Sequence, residues 1–148
     1  MEIQKDFKEL FELLNAHDVE YIIVGAYALA FLGSPRLTGD IDIYVKPSRE
    51  NAQKIVTALD AFGFGTVDLT EQDFQSPDQI IQLGVPPVRI YFVTSISGVT
   101  WDEAVSGATG AFYDAVPIQT LGREQFIANK HAIDRMKDFA DLEALGEK

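Results

Sequence analysis

The sequence predicts a single α/β domain, of the α+β kind, with helices flanking a small mixed sheet and a helical segment at the C-terminal end. Three observations carry this. Helical stripes alternate with short strand-like runs along the chain. One run, Tyr21-Ile22-Ile23-Val24, is apolar throughout, as expected of a strand covered on both faces. The 148 residues, 47% hydrophobic and 24% charged, suit one core, and no repeat or long linker divides them. The expected layout is one domain over 1–148, with its core over about 1–118 and C-terminal helices over about 120–146.

Each element has its own signal. Phe7, Leu10, Phe11 and Leu14 recur at i, i+3, i+4 and i+7, which predicts an amphipathic helix over 4–16. The apolar strand Tyr21–Val24 ends at Gly25. Ala26–Leu32 is rich in helix formers and is closed by Gly33. A loop, Ser34–Gly39, leads into a second strand running to Val45. Ser48 is the expected N-cap of the next helix, with Ala52, Ile55, Val56 and Leu59 as its buried stripe and Gly63 and Gly65 ending it. Thr70–Asp73 reads as a short capped helix. Gln79–Leu83 and Val88–Thr94 read as strands about the turn Gly84–Pro87, with Val88, Ile90 and Phe92 on one face and Arg89, Tyr91 and Val93 on the other. Thr100–Glu103 has the spacing of a capping box. Gly107–Pro117 holds turn residues and one or two strands, and Arg123–Leu145 is helical in two parts, bent near Asp134.

Composition narrows the function. With 23 acidic against 12 basic residues the net charge is −11, the opposite of a broad nucleic-acid-binding surface. A small anionic substrate remains compatible if metal ions and a local basic cluster receive it. No apolar run reaches the roughly 18 residues of a membrane span, and the N-terminus lacks the pattern of a signal peptide. There are no cysteines, which excludes disulfides and thiolate metal sites and makes the cytoplasm the expected location. His17 and His131 stand alone, without the spacing of a zinc site.

Two places could carry chemistry. Asp40 and Asp42 lie two apart in the second strand, so both carboxylates leave the same face while Ile41, Ile43 and Val45 face the other way. Such a pair can hold a hard divalent cation, or it can be the solvated side of an amphipathic strand. Gly25, between a buried strand and a helix, can let backbone N–H groups approach a phosphate; it also suits an ordinary tight turn. The second place is 128–141, where Lys130 and Lys137 are seven apart and Asp134, Asp138 and Asp141 fall at i, i+4 and i+7. This is either an exposed helix laced by ion pairs or a helix presenting Lys130, Arg135 and Lys137 to phosphates.

Taken together, Val24-Gly25-Ala26-Tyr27-Ala28, Gly33, Pro35-Arg36, Thr38 and Asp40-Ile41-Asp42 resemble the signature of the minimal nucleotidyltransferases, and among them the bacterial group related to AbiE-type toxins. The resemblance continues through Ile81–Pro87, Phe92–Val99 and Ile127–Lys130 to Arg135, Lys137-Asp138 and Asp141. It implies a polymerase-β-like fold and transfer of a nucleoside monophosphate from an NTP to an acceptor, with pyrophosphate leaving. It implies Mg²⁺ or Mn²⁺ held by Asp40 and Asp42 as the catalytic and metal-binding residues. It implies nucleotide contacts from Gly25, Ala26, Arg36, Thr38, Lys130, Arg135 and Lys137. The acceptor is left open among a protein, an RNA end and a small molecule, and a protein partner of the toxin–antitoxin kind is compatible.

The departures are specific. The family places a third carboxylate after an Arg-Ile pair; here Arg89-Ile90 is followed by Tyr91, and a phenol with pKa near 10 is a poor ligand or base at pH 7. Ala26 stands for a glycine or serine, His131 for a basic residue, Asp134 for a small residue and Met136 for a proline. The expectation is therefore an active enzyme working with two carboxylates or recruiting Asp68 or Asp114, against a degenerate enzyme that binds nucleotide or metal with impaired turnover, or a toxin–antitoxin-type interaction protein whose acidic surface binds a basic partner and whose site is vestigial.

Overall fold

In the computed structural model, residues 5–33, 40–63, 69–85 and 88–133 are described. In chain order the elements are α1 (Lys5–Ala16), β1 (Tyr21–Val24), α2 (Gly25–Phe31), β2 (Asp40–Val45), α3 (Arg49–Phe62), α4 (Glu71–Gln75), β3 (Ile80–Val85), β4 (Val88–Val93), α5 (Trp101–Gly107), β5 (Thr109–Tyr113), β6 (Val116–Thr120) and α6 (Arg123–Ile133). The strands form one mixed sheet in the order β3-β4-β2-β1-β6-β5. β1 is antiparallel to β2, β2 is parallel to β4, and hairpins β3–β4 and β5–β6 close the two edges. The expected small mixed sheet flanked by helices is what forms.

Period-two alternation divides each strand between two layers. One face carries Tyr21, Ile23, Ile41, Ile43, Val45, Ile90 and Phe92 into a core completed by Phe7, Leu10, Phe11 and Leu14 of α1, by Ala52, Ile55 and Leu59 of α3, and by Phe74 of α4. The predicted stripe of α1 is fully buried. The other face sends Ile22, Val24 and Tyr44 into a smaller cluster with Ala28 and Leu29 of α2, Ala104 of α5 and Phe126 of α6. Tyr44 packs edge-on against Trp101, ring centroids 5.1 Å apart.

Helix starts follow the sequence signals. Ser48 Oγ accepts from Asn51 N–H at 3.2 Å. Thr100 and Glu103 close a reciprocal capping box, with Thr100 N–H donating to Glu103 Oε1 at 2.9 Å and Glu103 N–H to Thr100 Oγ1 at 3.2 Å. Asn51 spans α3 and the strands: its amide donates to the carbonyls of Glu20 and Lys46 and accepts from Glu20 N–H, so this buried polar side chain is satisfied.

Element boundaries differ from expectation in several places, three of them with a clear cause. The turn expected over Gly84–Pro87 is tighter, because Gly84 and Val85 pair with Arg89 and Val88 and extend β3. Thr94 leaves β4, because it closes a loop: Gln79 N–H donates to Thr94 Oγ1 at 2.8 Å and Thr94 N–H to Gln79 O at 3.1 Å. Gly107–Pro117 resolves into the end of α5 and most of a hairpin turning at Asp114, which adopts φ 55°. The bend expected near Asp134 lies outside the described residues.

Candidate active site

α5 and α6 cover only part of the second sheet face. Beyond them lie Asp40 and Asp42 of β2 and Arg89 and Tyr91 of β4, all partly exposed. The register brings them together. Asp42 stands opposite Val24 on one side and Tyr91 on the other, and Asp40 stands opposite Arg89. Four side chains from neighbouring strands thus share one patch of one face.

Gly25 fixes how closely the chain passes this patch. It adopts φ 70°, and a Cβ added there would fall on Asp42 Oδ2. Only a glycine allows β1 to turn into α2 with the Asp42 carboxylate in contact with the backbone. The sequence motif joining Gly25 to Asp42 across 16 intervening positions is therefore a packing unit as well as a candidate phosphate cradle.

α6 supplies the opposite wall. Asn129, itself buried, donates from Nδ2 to Ser97 O at 2.9 Å. Gly98 adopts φ 77°, and a Cβ there would crowd Ala132 Cβ and Ala128 O, so the turn after β4 lies directly on α6. That docking brings in Lys130, which is only 4% exposed and holds its ammonium 5.2 Å from the centroid of the Phe126 ring. A lysine this buried is uncommon without partners, and a ring face is one such partner. The result is a cleft of about 400 Å³ between the sheet and α6, lined by Gly25, Ala26, Asp40, Asp42 and Lys130 together with Ser95 and Ser97.

The expected site residues divide cleanly. Gly25, Ala26, Asp40, Asp42 and Lys130 line one cleft. Tyr91 lies beside Asp42 in register, on the same face. Arg36, Thr38, Arg135, Lys137 and Asp68 lie outside the described residues. Asp114 is corrected: it sits in the β5–β6 turn, bound to Lys8 at 2.8 Å. Because β6 runs parallel to β1 and meets Ile23 only at Thr120, that turn is at the far end of the sheet from Gly25, and Asp114 cannot join the pair.

Arg89, Asn129 and the two serines were not singled out from sequence. The neighbouring Tyr91 hydroxyl first, and Asp40 after it, hold the Arg89 guanidinium pKa above its ordinary value. A signal for Arg89 was present, since it shares a strand face with Tyr91. Its position opposite Asp40 depends on strand pairing, which spacing does not reveal.

Among the described residues, no group of three or more His, Cys, Asp or Glu converges as a metal cage. The donor set is two carboxylates in a cleft with a buried ammonium. That fits Mg²⁺, which keeps several waters and is held by one or two carboxylates plus substrate phosphates.

No protein-family model matches the sequence, and no curated protein is significantly similar to it. Solved structures do match. A candidate nucleotidyltransferase from Thermotoga maritima superposes with a TM-score of 0.62 at 16% identity, over 98% of this chain and 93% of that one. The lincosamide antibiotic adenylyltransferase LnuA, in its lincomycin-bound form, gives 0.57 at 13% identity over 99% and 98%. An antigenic nucleotidyltransferase-like protein from Paracoccidioides brasiliensis gives 0.57 at 16% identity over 97% and 75%. The chain has the nucleotidyltransferase fold. On that fold the paired aspartates, the glycine turn and the lysine of α6 surround one cleft.

Proposed function

We propose that the protein is a metal-dependent nucleotidyltransferase, moving a nucleoside monophosphate from an NTP to an acceptor with release of pyrophosphate. The observation that carries this reading is the convergence of Asp40 and Asp42 with Gly25 and Lys130 on one cleft. Asp40 and Asp42 would hold Mg²⁺ or Mn²⁺, which when bound supplies positive charge to the triphosphate oxygens. Lys130 would bind a phosphate oxygen, and its ammonium, held over Phe126, is poised for that contact. Backbone N–H groups at Gly25 and Ala26 would complete the cradle. Arg36, Thr38, Arg135 and Lys137 are assigned to the nucleotide on the sequence resemblance. The same resemblance supports kinship with the AbiE-related group and a protein partner of the toxin–antitoxin kind, and the lack of cysteines supports a cytoplasmic setting.

Calorimetry with each NTP and Mg²⁺ or Mn²⁺, followed by transfer of α-labelled nucleotide to candidate acceptors, tests this. Asp40→Asn and Asp42→Asn are expected to cut transfer by about 100-fold or more, the scale on which one lost electrostatic contact to a transition state is felt. Absence of metal-dependent NTP binding in the parent protein overturns the reading.

A second reading is favoured by Tyr91. Where a third carboxylate is expected, the phenol of Tyr91 stands opposite Asp42 instead. A nucleotide- and metal-binding protein with impaired turnover would bind NTP normally, transfer nothing, and gain transfer on Tyr91→Asp.

A further inference from the structure

The strand position beside Asp42 decides what kind of acceptor the site can take. A third carboxylate there would accept a proton from an acceptor hydroxyl. The chain instead puts two hydrogen-bond donors on this patch. Arg89 carries a guanidinium opposite Asp40, and Tyr91, two residues along the same strand face, stands opposite Asp42. A phenol O–H and the five N–H groups of a guanidinium are all donors toward an anion. Such a pair would pull an anion in and does nothing to deprotonate a neutral alcohol. Both side chains are partly exposed on the uncovered part of the face, so a ligand can reach them.

Resting on the nucleotidyl-transfer reading above, we propose that the acceptor is the phosphate monoester of a small molecule, bound by Arg89 and Tyr91. Such an acceptor needs no base. Its second pKa is about 6, so near pH 8 it is a dianion whose oxygens carry no proton. One of these oxygens would form a bond to the α-phosphorus of the NTP. The bond from that phosphorus to the oxygen bridging the α- and β-phosphates breaks, and that electron pair leaves with pyrophosphate. The product is an NMP joined to the acceptor through a new pyrophosphate linkage, with no proton to remove. The repulsion between two anionic substrates is offset by the positive charges of Arg89 on β4 and Lys130 on α6. Arg is suited to the task, because its planar fork matches phosphate oxygens. The net charge of −11 disfavours a phosphorylated nucleic-acid end, whose neighbouring phosphates would meet an acidic surface.

The test offers the full-length protein, with Mn²⁺ and α-labelled NTPs at pH 8, a panel of sugar phosphates, the same sugars without phosphate, and a 5′-phosphorylated oligonucleotide. Labelling of a sugar phosphate, with at least tenfold preference over its unphosphorylated form, is the expected result. Arg89→Gln should raise the KM for that acceptor about tenfold or more, as expected when a charge-assisted hydrogen bond is lost, while the KM for NTP moves far less. Tyr91→Phe, which keeps the ring and removes the donor, should shift the same KM in the same direction. Equal or faster transfer to a free hydroxyl overturns the proposal and leaves nucleotidyl transfer standing. So does transfer to the oligonucleotide alone. Metal-dependent NTP binding with no transfer to any member overturns it in favour of impaired turnover. Failure to bind NTP removes both readings together.

Discussion

The two faces of the sheet are made by the same strands and behave oppositely. β2 gives Ile41, Ile43 and Val45 to the face packed against α1 and α3, where all three are buried, and gives Asp40 and Asp42 to a face that α5 and α6 cover only in part. The first face is closed by the apolar stripes of α1 and α3 and by Phe74 of α4. Among the described residues the second is left open where the carboxylates emerge, and apolar cover resumes at Tyr44, packed on Trp101. Stability and chemistry are thus separated by a two-residue period. A substitution on one side should register in unfolding, and one on the other in ligand binding.

The strongest way to break this separation is from the closed face. Phe92 is fully buried and packs edge-on against Phe74 at 5.8 Å. Phe92→Ala should cost about 3–5 kcal/mol by loss of buried surface and creation of a cavity. For a domain of this size that lowers Tm by on the order of 10 °C, measurable by calorimetry. Metal and nucleotide affinity at temperatures where the variant is folded should stay near parental values.

Gly25→Ala is the substitution that should violate the separation. The φ of 70° is unfavourable for alanine, by about 1–2 kcal/mol, and the added methyl meets the Asp42 carboxylate. Both stability and metal binding should fall together. A Gly25→Ala protein that keeps parental Mn²⁺ affinity would show that Asp42 has freedom to move away and that the contact is not what positions it.

A smaller effect is expected at the wall of the cleft. Asn129→Ala removes the hydrogen bond to Ser97 O and leaves that carbonyl without its Asn129 donor, at a cost of about 1–3 kcal/mol. Because Lys130 is carried on the same helix, the KM for NTP should rise. Asn129→Asp, which in addition buries a carboxylate against that carbonyl, should cost more.

How much of this was legible in the sequence follows from the range of the forces involved. The stripe of α1, the cap at Ser48, the box at Thr100 and the same-face placement of Asp40 and Asp42 depend on contacts within a few residues, and each formed as read. The gathering of Lys130 beside the carboxylates was approached only through the family resemblance, since local spacing alone fits an exposed helix equally well. Arg89 opposite Asp40 depends on which strand pairs with which, and in what register. Asp114 was misjudged for the same reason: residue type suggested a carboxylate available to the site, whereas a single parallel bridge at Ile23 and Thr120 puts its turn at the other end of the sheet.

The smallest expected effect concerns the cap that starts α5 on the open face. Glu103 has its carboxyl pKa held below the ordinary value, first by the Thr100 backbone N–H and then by the Thr100 hydroxyl. A carboxylate with a folded-state pKa below its unfolded one stabilises the fold above the unfolded value of 4.5, and that contribution is lost as pH falls through the folded pKa. Glutamine can also fill the third position of a capping box, so Glu103→Gln should leave Tm near the parental value at neutral pH while removing the titration. Tm followed from pH 7 to pH 3 for both proteins should give a small gap in favour of the parent above the unfolded pKa that closes below it. A gap that instead widens toward acid would mean that the carboxylate is better accommodated protonated, and that the hydrogen bond from Thr100 N–H is not the interaction holding its pKa down.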